Sequence, residues 1–123
     1  QQCRRFADAH GTRGPAPLSL AQGTSLLPLL ADPSTHGRAY VFSTFDGYIR
    51  GGWKWRAVIT AAHKYVYYHD DRVDQLFDLR ADPHELQNVS QHPKYFDTRR
   101  QLRAVLAAWM EQTGDFLTPE FPE

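Results

Sequence analysis

The sequence predicts an α+β fold in which a four-stranded antiparallel sheet carries a long C-terminal helix on one face. Four short segments rich in aromatic and β-branched residues follow one another between positions 38 and 79. The connections between them are too short for crossover helices, so neighbouring strands should be antiparallel. Near the C-terminus, apolar residues recur every three or four positions, which is typical of a helix packed along one side.

Turn residues separate the four predicted strands. The strands are RAYVFSTF, WRAVIT, HKYVYYH and VDQLFDL, at 38–45, 55–60, 63–69 and 73–79. A glycine-rich loop, DGYIRGGWK at 46–54, joins the first two strands, and the DDR turn at 70–72 joins the last two. Only a few residues lie between the second and third strands, which indicates a hairpin.

The C-terminal helix is predicted from an apolar stripe. Pro93 fits its first turn, where a missing N–H costs little, and Gly114 can end it in the left-handed conformation. The stripe comprises Leu102, Val105, Leu106, Trp109 and Met110. Arg99, Arg100 and Arg103 lie mostly off the stripe, so we interpret them as a solvated basic face rather than an anion site.

Composition limits the classes of partner. The 123 residues suffice for one domain, and 41% hydrophobic with 23% charged residues is typical of a globular protein. The chain has 14 Lys+Arg and 14 Asp+Glu, which argues against general nucleic-acid binding and removes electrostatic support for membrane-surface binding. No apolar run approaches the roughly 20 residues of a membrane-spanning helix. We therefore expect no nucleic-acid partner and no membrane partner.

The first 30 residues read as an irregular lead-in because glycines and prolines punctuate them. They end in TSLLPLL at 24–30, where Thr24 or Ser25 can cap a short helical turn. Four leucines here, together with many Tyr and Trp residues in the strands, exceed what one small core can cover. Exposed apolar surface of this kind marks interfaces, so self-association is expected.

No motif for catalysis or metal binding is evident. The nucleophile pattern G-x-S-x-G and the common phosphate loops are absent, and the single Cys3 excludes a multi-cysteine zinc site. His63 and His69 would lie about 20 Å apart along one strand, too far to share an ion. Asp74 and Asp78 are expected to face solvent or an arginine. We therefore predict no catalytic residue and no metal-ligating residue in this chain.

The segment QLFDLRADPHELQNVS at 75–90 gathers polar side chains after a strand. Asp82, Pro83 and Glu85 match a capping box, in which Asp82 accepts the first free N–H groups and Glu85 reaches back. We expect one helical turn there, ending near Asn88. Leu86 and Val89 are expected to pack inward.

Four motifs, taken in order, resemble the C-terminal region of type I sulfatases, the formylglycine-dependent members of the alkaline-phosphatase-like superfamily. They read GTSLLPLL at 23–30, RAVIT at 56–60, KYV at 64–66 and QLFDLRADPHELQN at 75–88. The resemblance covers about residues 20–115. Its signature residues in this chain are Arg56, Lys64, Asp82, Pro83, Glu85 and Asn88.

The resemblance implies that 31–123 form the C-terminal subdomain of a sulfuric ester hydrolase, with 1–30 a remnant of the end of its catalytic domain. The partner would then be that N-terminal catalytic domain, against which the subdomain packs and whose cleft it helps to shape. Cys3 is followed by Arg-Arg-Phe-Ala and does not match the family's C/S-x-P-x-R nucleophile motif. The parent would supply formylglycine and calcium, whereas this chain would hold no cofactor and would have no activity alone.

Residues of the glycine-rich loop are the candidates for contact with substrate at the rim of such a cleft. They are Asp46, Tyr48, Trp53 and Lys54, chosen because loops that carry aromatic and charged residues commonly hold recognition sites. Two alternatives remain at this point. One is a non-enzymatic binding module that dimerises, and the other is the subdomain of a phosphate or phosphonate ester hydrolase of the same superfamily. The sequence does not indicate a compartment.

Overall fold

The computed structural model describes residues 25–32, 34, 37–47 and 53–122. The backbone divides into two compact units, 1–38 and 39–123. In the first unit, helix α1 spans Leu27–Ala31. The predicted short helical turn is confirmed, but its N-cap is Leu26, which forms no side-chain cap bond. The Ser25 hydroxyl, one position earlier, accepts from the Leu27 N–H at 3.2 Å.

The second unit contains the predicted four-stranded antiparallel sheet. Its strands are β1 (Val41–Asp46), β2 (Lys54–Ile59), β3 (His63–Tyr68) and β4 (Val73–Asp78), arranged in the order β1-β2-β3-β4. Every neighbouring pair is antiparallel. β1 begins three residues later than predicted, because its first residue already pairs with Ile59, after which β2 ends.

Thr60 builds the turn between β2 and β3. Its N–H donates to the His63 carbonyl at 2.8 Å. Its side-chain oxygen accepts from the N–H groups of Ala62 and His63, at 3.2 and 2.9 Å. The threonine that ends the RAVIT motif therefore satisfies the turn's backbone donors and holds the hairpin closed.

Helix α2 spans Phe96–Thr113 and follows a 3₁₀ turn, Pro93–Tyr95. Pro93 therefore opens the preceding turn rather than α2 itself. Gly114 adopts the left-handed conformation at φ 63° and donates to the Glu111 carbonyl at 3.1 Å, as predicted for the end of the helix.

The core lies between α2 and one face of the sheet. Its buried residues are Val58, Tyr65, Tyr67, Leu76, Leu102, Leu106, Met110 and Leu117. Trp109 of α2 stacks on Phe42 of β1, with ring centroids 4.7 Å apart and planes at 5°. The predicted fold class and the apolar stripe of the helix are both confirmed.

The interpretation of the three helix arginines as a solvated face is wrong for two of them. Arg100 is exposed and forms a surface pair with Asp97 at 3.3 Å. The side chain of Arg99 is only 7% exposed and that of Arg103 18%, and both bind Asp74 of β4. They are drawn inward because a buried carboxylate lies on the face of the sheet that α2 covers.

Asp78, the second acidic residue of β4, is partly exposed, in line with the expected contact with solvent, and it also has hydrogen-bond partners within the chain. The Tyr95 hydroxyl donates to Asp78 Oδ2 at 2.8 Å. The other oxygen, Oδ1, accepts from the N–H groups of Arg80 and Ala81 at 3.1 and 3.2 Å. The carboxylate therefore organises the turn after β4 instead of meeting an arginine.

The capping box predicted at Asp82 and Glu85 does not form. Glu85 has φ 55°, a left-handed conformation that excludes it from a right-handed helical turn. Its carboxylate accepts from Lys64 Nζ at 2.6 Å instead of reaching back to Asp82. Asp82 Oδ2 does accept a backbone bond, from the Gln87 N–H at 2.8 Å, so the residue closes a loop rather than a helix.

The loop then runs along the outer edge of β4. The Leu76 N–H donates to Asn88 Oδ1 at 3.0 Å, and the Val89 N–H donates to the Leu76 carbonyl at 2.8 Å. Val89 packs against the core as expected, but Leu86 is 80% exposed. Without a helical turn, the three-residue spacing no longer aligns Leu86 with Val89.

Candidate functional site

Three of the four predicted rim residues lie where β1 ends and β2 begins. Asp46 is the last residue of β1, and it pairs directly with Lys54, the first residue of β2. Trp53 immediately precedes β2 and is 65% exposed. Tyr48 lies outside the residues that the structure describes. The hairpin therefore brings an acidic, a basic and an aromatic residue to one end of the sheet.

Asp46 and Lys54 belong to the face of the sheet that carries α2. Alternation along β1 places Asp46 on the same face as Phe42, whose ring stacks on Trp109 of the helix. Residues that pair directly across an antiparallel ladder share a face, so Lys54 lies on this face as well. These two side chains form the charged part of this end of the sheet.

An aromatic row crosses the other face of the sheet at the same end. Phe45 pairs with Trp55, Trp55 with Tyr68, and Tyr68 with Val73. The rings of Phe45 and Trp55 are stacked with centroids 6.0 Å apart. By alternation Trp53 is in line with Trp55, so the predicted rim residues divide between a charged and an aromatic face.

Arg56 of β2 anchors the charged part of this end of the sheet. Its side chain is 2% exposed, and its Nη1 donates to Asp46 Oδ1 at 2.8 Å. On its other side, Nε and Nη2 donate to the two carboxylate oxygens of Asp115, at 2.5 and 3.0 Å. A planar guanidinium binds a carboxylate in this two-bond manner with well-defined geometry. Arg56 therefore fixes Asp46 relative to the segment that follows α2.

The pKa of Asp115 lies below its ordinary value, chiefly because Arg56 donates hydrogen bonds to its carboxylate. The side chain of Asp115 is only 6% exposed. Phe116, the next residue, is 70% exposed, and its ring centroid lies 5.5 Å from Cζ of Arg56. This contact adds a cation–π interaction to the anchor.

Lys54 is held from the opposite direction by the turn between β3 and β4. Its N–H donates to Asp70 Oδ2 at 2.9 Å, and its Nζ donates to Oδ1 at 3.2 Å. The backbone bond is the main reason that the pKa of Asp70 is lowered. Both charged rim residues therefore have fixed partners while remaining partly exposed, at 46% for the Asp46 side chain and 34% for that of Lys54.

Asp74 forms a second polar cluster, beneath α2. Arg99 donates to its two oxygens at 2.9 and 3.0 Å, and Arg103 Nη2 donates to Oδ2 at 2.7 Å. The Tyr65 hydroxyl donates to the same oxygen at 2.9 Å. Burial by itself raises the pKa of Asp74, but these hydrogen bonds outweigh burial and lower it. The cluster joins the helix to the sheet and is structural in character.

The anchoring role of Arg56 and the contribution of Asp115 are not evident from the sequence. Nothing in the spacing of two residues 59 positions apart indicates that they pair. Arg99 did carry a signal, because it lies three and seven positions before Leu102 and Leu106 and so falls on the same helical stripe. That spacing was compatible with a buried arginine.

Across the described ranges, no three His, Cys, Asp or Glu residues are grouped so that they could hold a metal ion. His63 packs edge-on against Tyr95, and His69 packs edge-on against Tyr67. None of the helices in the described part of the chain is long and apolar enough to cross a membrane.

The chain is similar to a known protein family and to several solved structures. The family model described as N-sulphoglucosamine sulphohydrolase, C-terminal, matches residues 3–112. A protein assigned as a sulfatase from Bacteroides thetaiotaomicron VPI-5482 is 25% identical with a TM-score of 0.75, the match covering 87% of this chain and 24% of that one. A 2-O GAG sulfatase is also 25% identical, with a TM-score of 0.74 and the same coverages.

The yidJ sulfatase from Bacteroides fragilis, at 20% identity, shares the fold with a TM-score of 0.64 over 77% of this chain and 21% of its own. No match is found among the curated proteins. The chain spans about a quarter of the length of the two solved structures at 25% identity. The TM-scores show that these structures share the fold of this chain. The chain therefore belongs to the N-sulphoglucosamine sulphohydrolase C-terminal family.

Proposed function

We propose that this subdomain packs on the catalytic domain of a sulfuric ester hydrolase and forms part of the rim of its substrate cleft. The proposal is supported by the chain's length, which is about a quarter of that of the solved sulfatases it matches. The remaining three quarters of such an enzyme would provide the reaction centre. The role of this chain is then to support and to select, not to react.

The proposal that this subdomain contacts substrate rests on the end of the sheet that Arg56 anchors. Asp46 and Lys54 lie side by side and each is held by a fixed ion pair. Trp53 is exposed at the same end of the sheet, in line with the aromatic face. Recognition is sharper when side chains are held by neighbours than when they are free to rotate. A charged pair on one face and an exposed indole in line with the other suit a polar, ring-containing ligand that reaches around this end of the sheet.

A sulfated saccharide has these properties. Its hydroxyl groups can donate to Asp46 and its sulfate oxygens can accept from Lys54, while the apolar face of a neighbouring sugar ring can stack on Trp53. The name of the matched family refers to an N-sulphated amino sugar, and one structural relative is a 2-O GAG sulfatase. We propose a sulfated saccharide as the substrate class of the parent enzyme.

The reaction itself needs groups that this chain's sequence does not provide. Cleavage of a sulfate ester requires an activated nucleophile and stabilisation of the charge that develops on oxygen. We propose that the parent uses formylglycine and calcium, held by its catalytic domain, as its family implies. Cys3, the single cysteine, precedes Arg-Arg-Phe-Ala and so lacks the proline and arginine of the nucleophile motif.

The experiment is a reconstitution. The chain and the catalytic domain of its parent are produced separately, and hydrolysis of an aryl sulfate is measured with calcium present. We expect no turnover from the chain alone and a stable complex, with increased activity, when the two are combined. Saturable hydrolysis by the chain alone, or a fully active catalytic domain that never binds the chain, would refute the proposal.

A further inference from the structure

The two outer strands of the sheet differ in whether another segment of the chain bonds to their outer side. Beside β4, the loop at 88–90 bonds to the strand at Leu76. The Asn88 side-chain oxygen accepts from the Leu76 N–H, and the Val89 N–H donates to the Leu76 carbonyl. Beside β1, no strand in the described ranges pairs with the side facing away from β2. An unpaired edge presents backbone donors and acceptors to any other extended chain.

β1 also lacks the usual features that discourage such pairing. Its six residues, VFSTFD, contain no proline and a single charge, Asp46, at the very end. Two large apolar side chains on one face remain half exposed, Val41 at 52% and Phe45 at 50%. They are placed symmetrically, two residues before and two residues after Ser43. Native edges are commonly protected by charges, prolines or bulges, so this edge is expected to be covered.

We propose that β1 pairs with β1 of a second copy of this chain, antiparallel and centred on Ser43, to give one continuous eight-stranded sheet. In this register Val41 of each copy lies directly opposite Phe45 of the other. Aromatic and β-branched residues directly opposite one another stabilise antiparallel pairs. Both copies contribute the same strand, related by a two-fold axis at Ser43, which is the most common symmetry of homodimers.

The register follows from the faces of the two sheets. Centring the pair on a residue keeps the α2-bearing faces of both copies on the same side. A shift by one residue would turn one copy over and place its helix on the opposite side. Val41 and Phe45 would then no longer meet.

Charge favours the antiparallel arrangement with a second copy. Asp46 is the only charged residue of β1, and Arg56 already neutralises it at 2.8 Å. In an antiparallel pair the two Asp46 side chains lie at opposite ends of the shared edge, each beside Tyr40 of the other copy. A parallel pair would place the two carboxylates next to each other, which is unfavourable.

The first measurement is the mass of the 123-residue chain by sedimentation equilibrium over a range of concentrations. The expected mass rises from 14.1 kDa towards twice that value as the concentration increases. A chain that stays monomeric throughout would overturn the proposal. If β1 amides then exchange slowly only in the full parent enzyme, a strand of the catalytic domain occupies this edge instead.

The second measurement tests the position and register of the contact. Ser43→Lys and Ser43→Glu each place two like charges directly opposite one another at the two-fold axis, so each variant alone should remain monomeric. An equal mixture of the two should recover the dimer, because opposite charges then meet at the same point. Ser43→Thr, which keeps a small hydroxyl side chain suited to strands, should dimerise like the unmodified chain.

Circular dichroism of both charged variants should match that of the unmodified chain, and so should thermal unfolding at concentrations where the unmodified chain is monomeric, which excludes a failure to fold. Dimers of Ser43→Lys as stable as those of the unmodified chain would show that the contact lies elsewhere. A mixture of Ser43→Lys and Ser43→Glu that remains monomeric would equally reject the register.

Discussion

Arg56 in the middle of β2 donates two hydrogen bonds to Asp115, the second residue after α2 ends, at 2.5 and 3.0 Å. A third bond from the same guanidinium reaches Asp46 at the end of β1. One buried arginine thus connects the hairpin, the central strand and the end of the helix. The candidate rim depends on this connection for its shape.

Arg56→Met should strongly destabilise the fold. The substitution keeps most of the side chain's volume but leaves the buried Asp115 carboxylate without its partner, which typically costs about 3–5 kcal/mol. Chemical denaturation followed by circular dichroism measures the free energy of unfolding. The matched control is Arg100→Met, because the surface pair of Arg100 with Asp97 should contribute at most about 1 kcal/mol. Equal losses in the two variants would contradict the anchoring role of Arg56.

Stability should fall when the pH drops below about 4. The pKa values of Asp74 and Asp115 are lowered in the folded chain relative to the unfolded value of about 3.9. Their contribution is therefore fully present above that unfolded value and is lost as the pH falls through the lower folded values. The free energy of unfolding, measured by urea titration at a series of pH values, should decrease along the acid side.

Asp74→Asn should be less stable at neutral pH, because two arginines then lose their shared carboxylate, and its stability should depend less steeply on acid pH. The control is Asp97→Asn, whose side chain is 86% exposed. An acid slope in Asp74→Asn as steep as that of the unmodified chain would show that this carboxylate does not control the titration.

Asn88→Ala should weaken the protected edge of the sheet. The Asn88 side-chain oxygen accepts from the N–H groups of both Leu76 and Ser90, each at 3.0 Å. Losing these bonds should cost about 1–2 kcal/mol of unfolding free energy. Hydrogen exchange at Leu76 should accelerate. His84→Ala, an exposed residue of the same loop, is the control and should leave that amide unchanged.

Trp53→Ala in the parent enzyme should raise KM for a sulfated saccharide while leaving kcat close to its original value. This pattern indicates the loss of binding energy that the ground state and the transition state share. Phe96→Ala is the control, because Phe96 is an exposed aromatic residue at the start of α2, away from the β1–β2 hairpin. An unchanged KM, or an equal effect of both variants, would remove Trp53 from the substrate rim.

The sheet and the long helix could be predicted because their signals are local. β-branched and aromatic residues mark the four strands, turn residues separate them, and the spacing from Leu102 to Met110 marks the helical stripe. Each of these preferences acts over a few neighbouring positions. The end of α2 at Gly114 was predictable for the same reason, since only the local backbone conformation is involved.

The loop after β4 shows why a local pattern can fail. Asp82 and Glu85 have the spacing of a capping box, yet Glu85 turns left-handed and bonds to Lys64, 21 positions earlier in the chain. A charged partner brought close by the sheet outweighs a bond to the neighbouring backbone. The competition between these two bonds exists only after β3 and β4 have paired.

The sequence by itself determined the order of elements, the antiparallel connections and the family resemblance, because these depend on residue types at short spacings. Only the tertiary structure decided the partners of the charged residues. Asp74 gathers Arg99 and Arg103, and Arg56 joins Asp46 to Asp115, once distant segments share one face of the sheet. Buried charges are stable only when paired, and the partners that achieve this are set by proximity in space rather than along the chain.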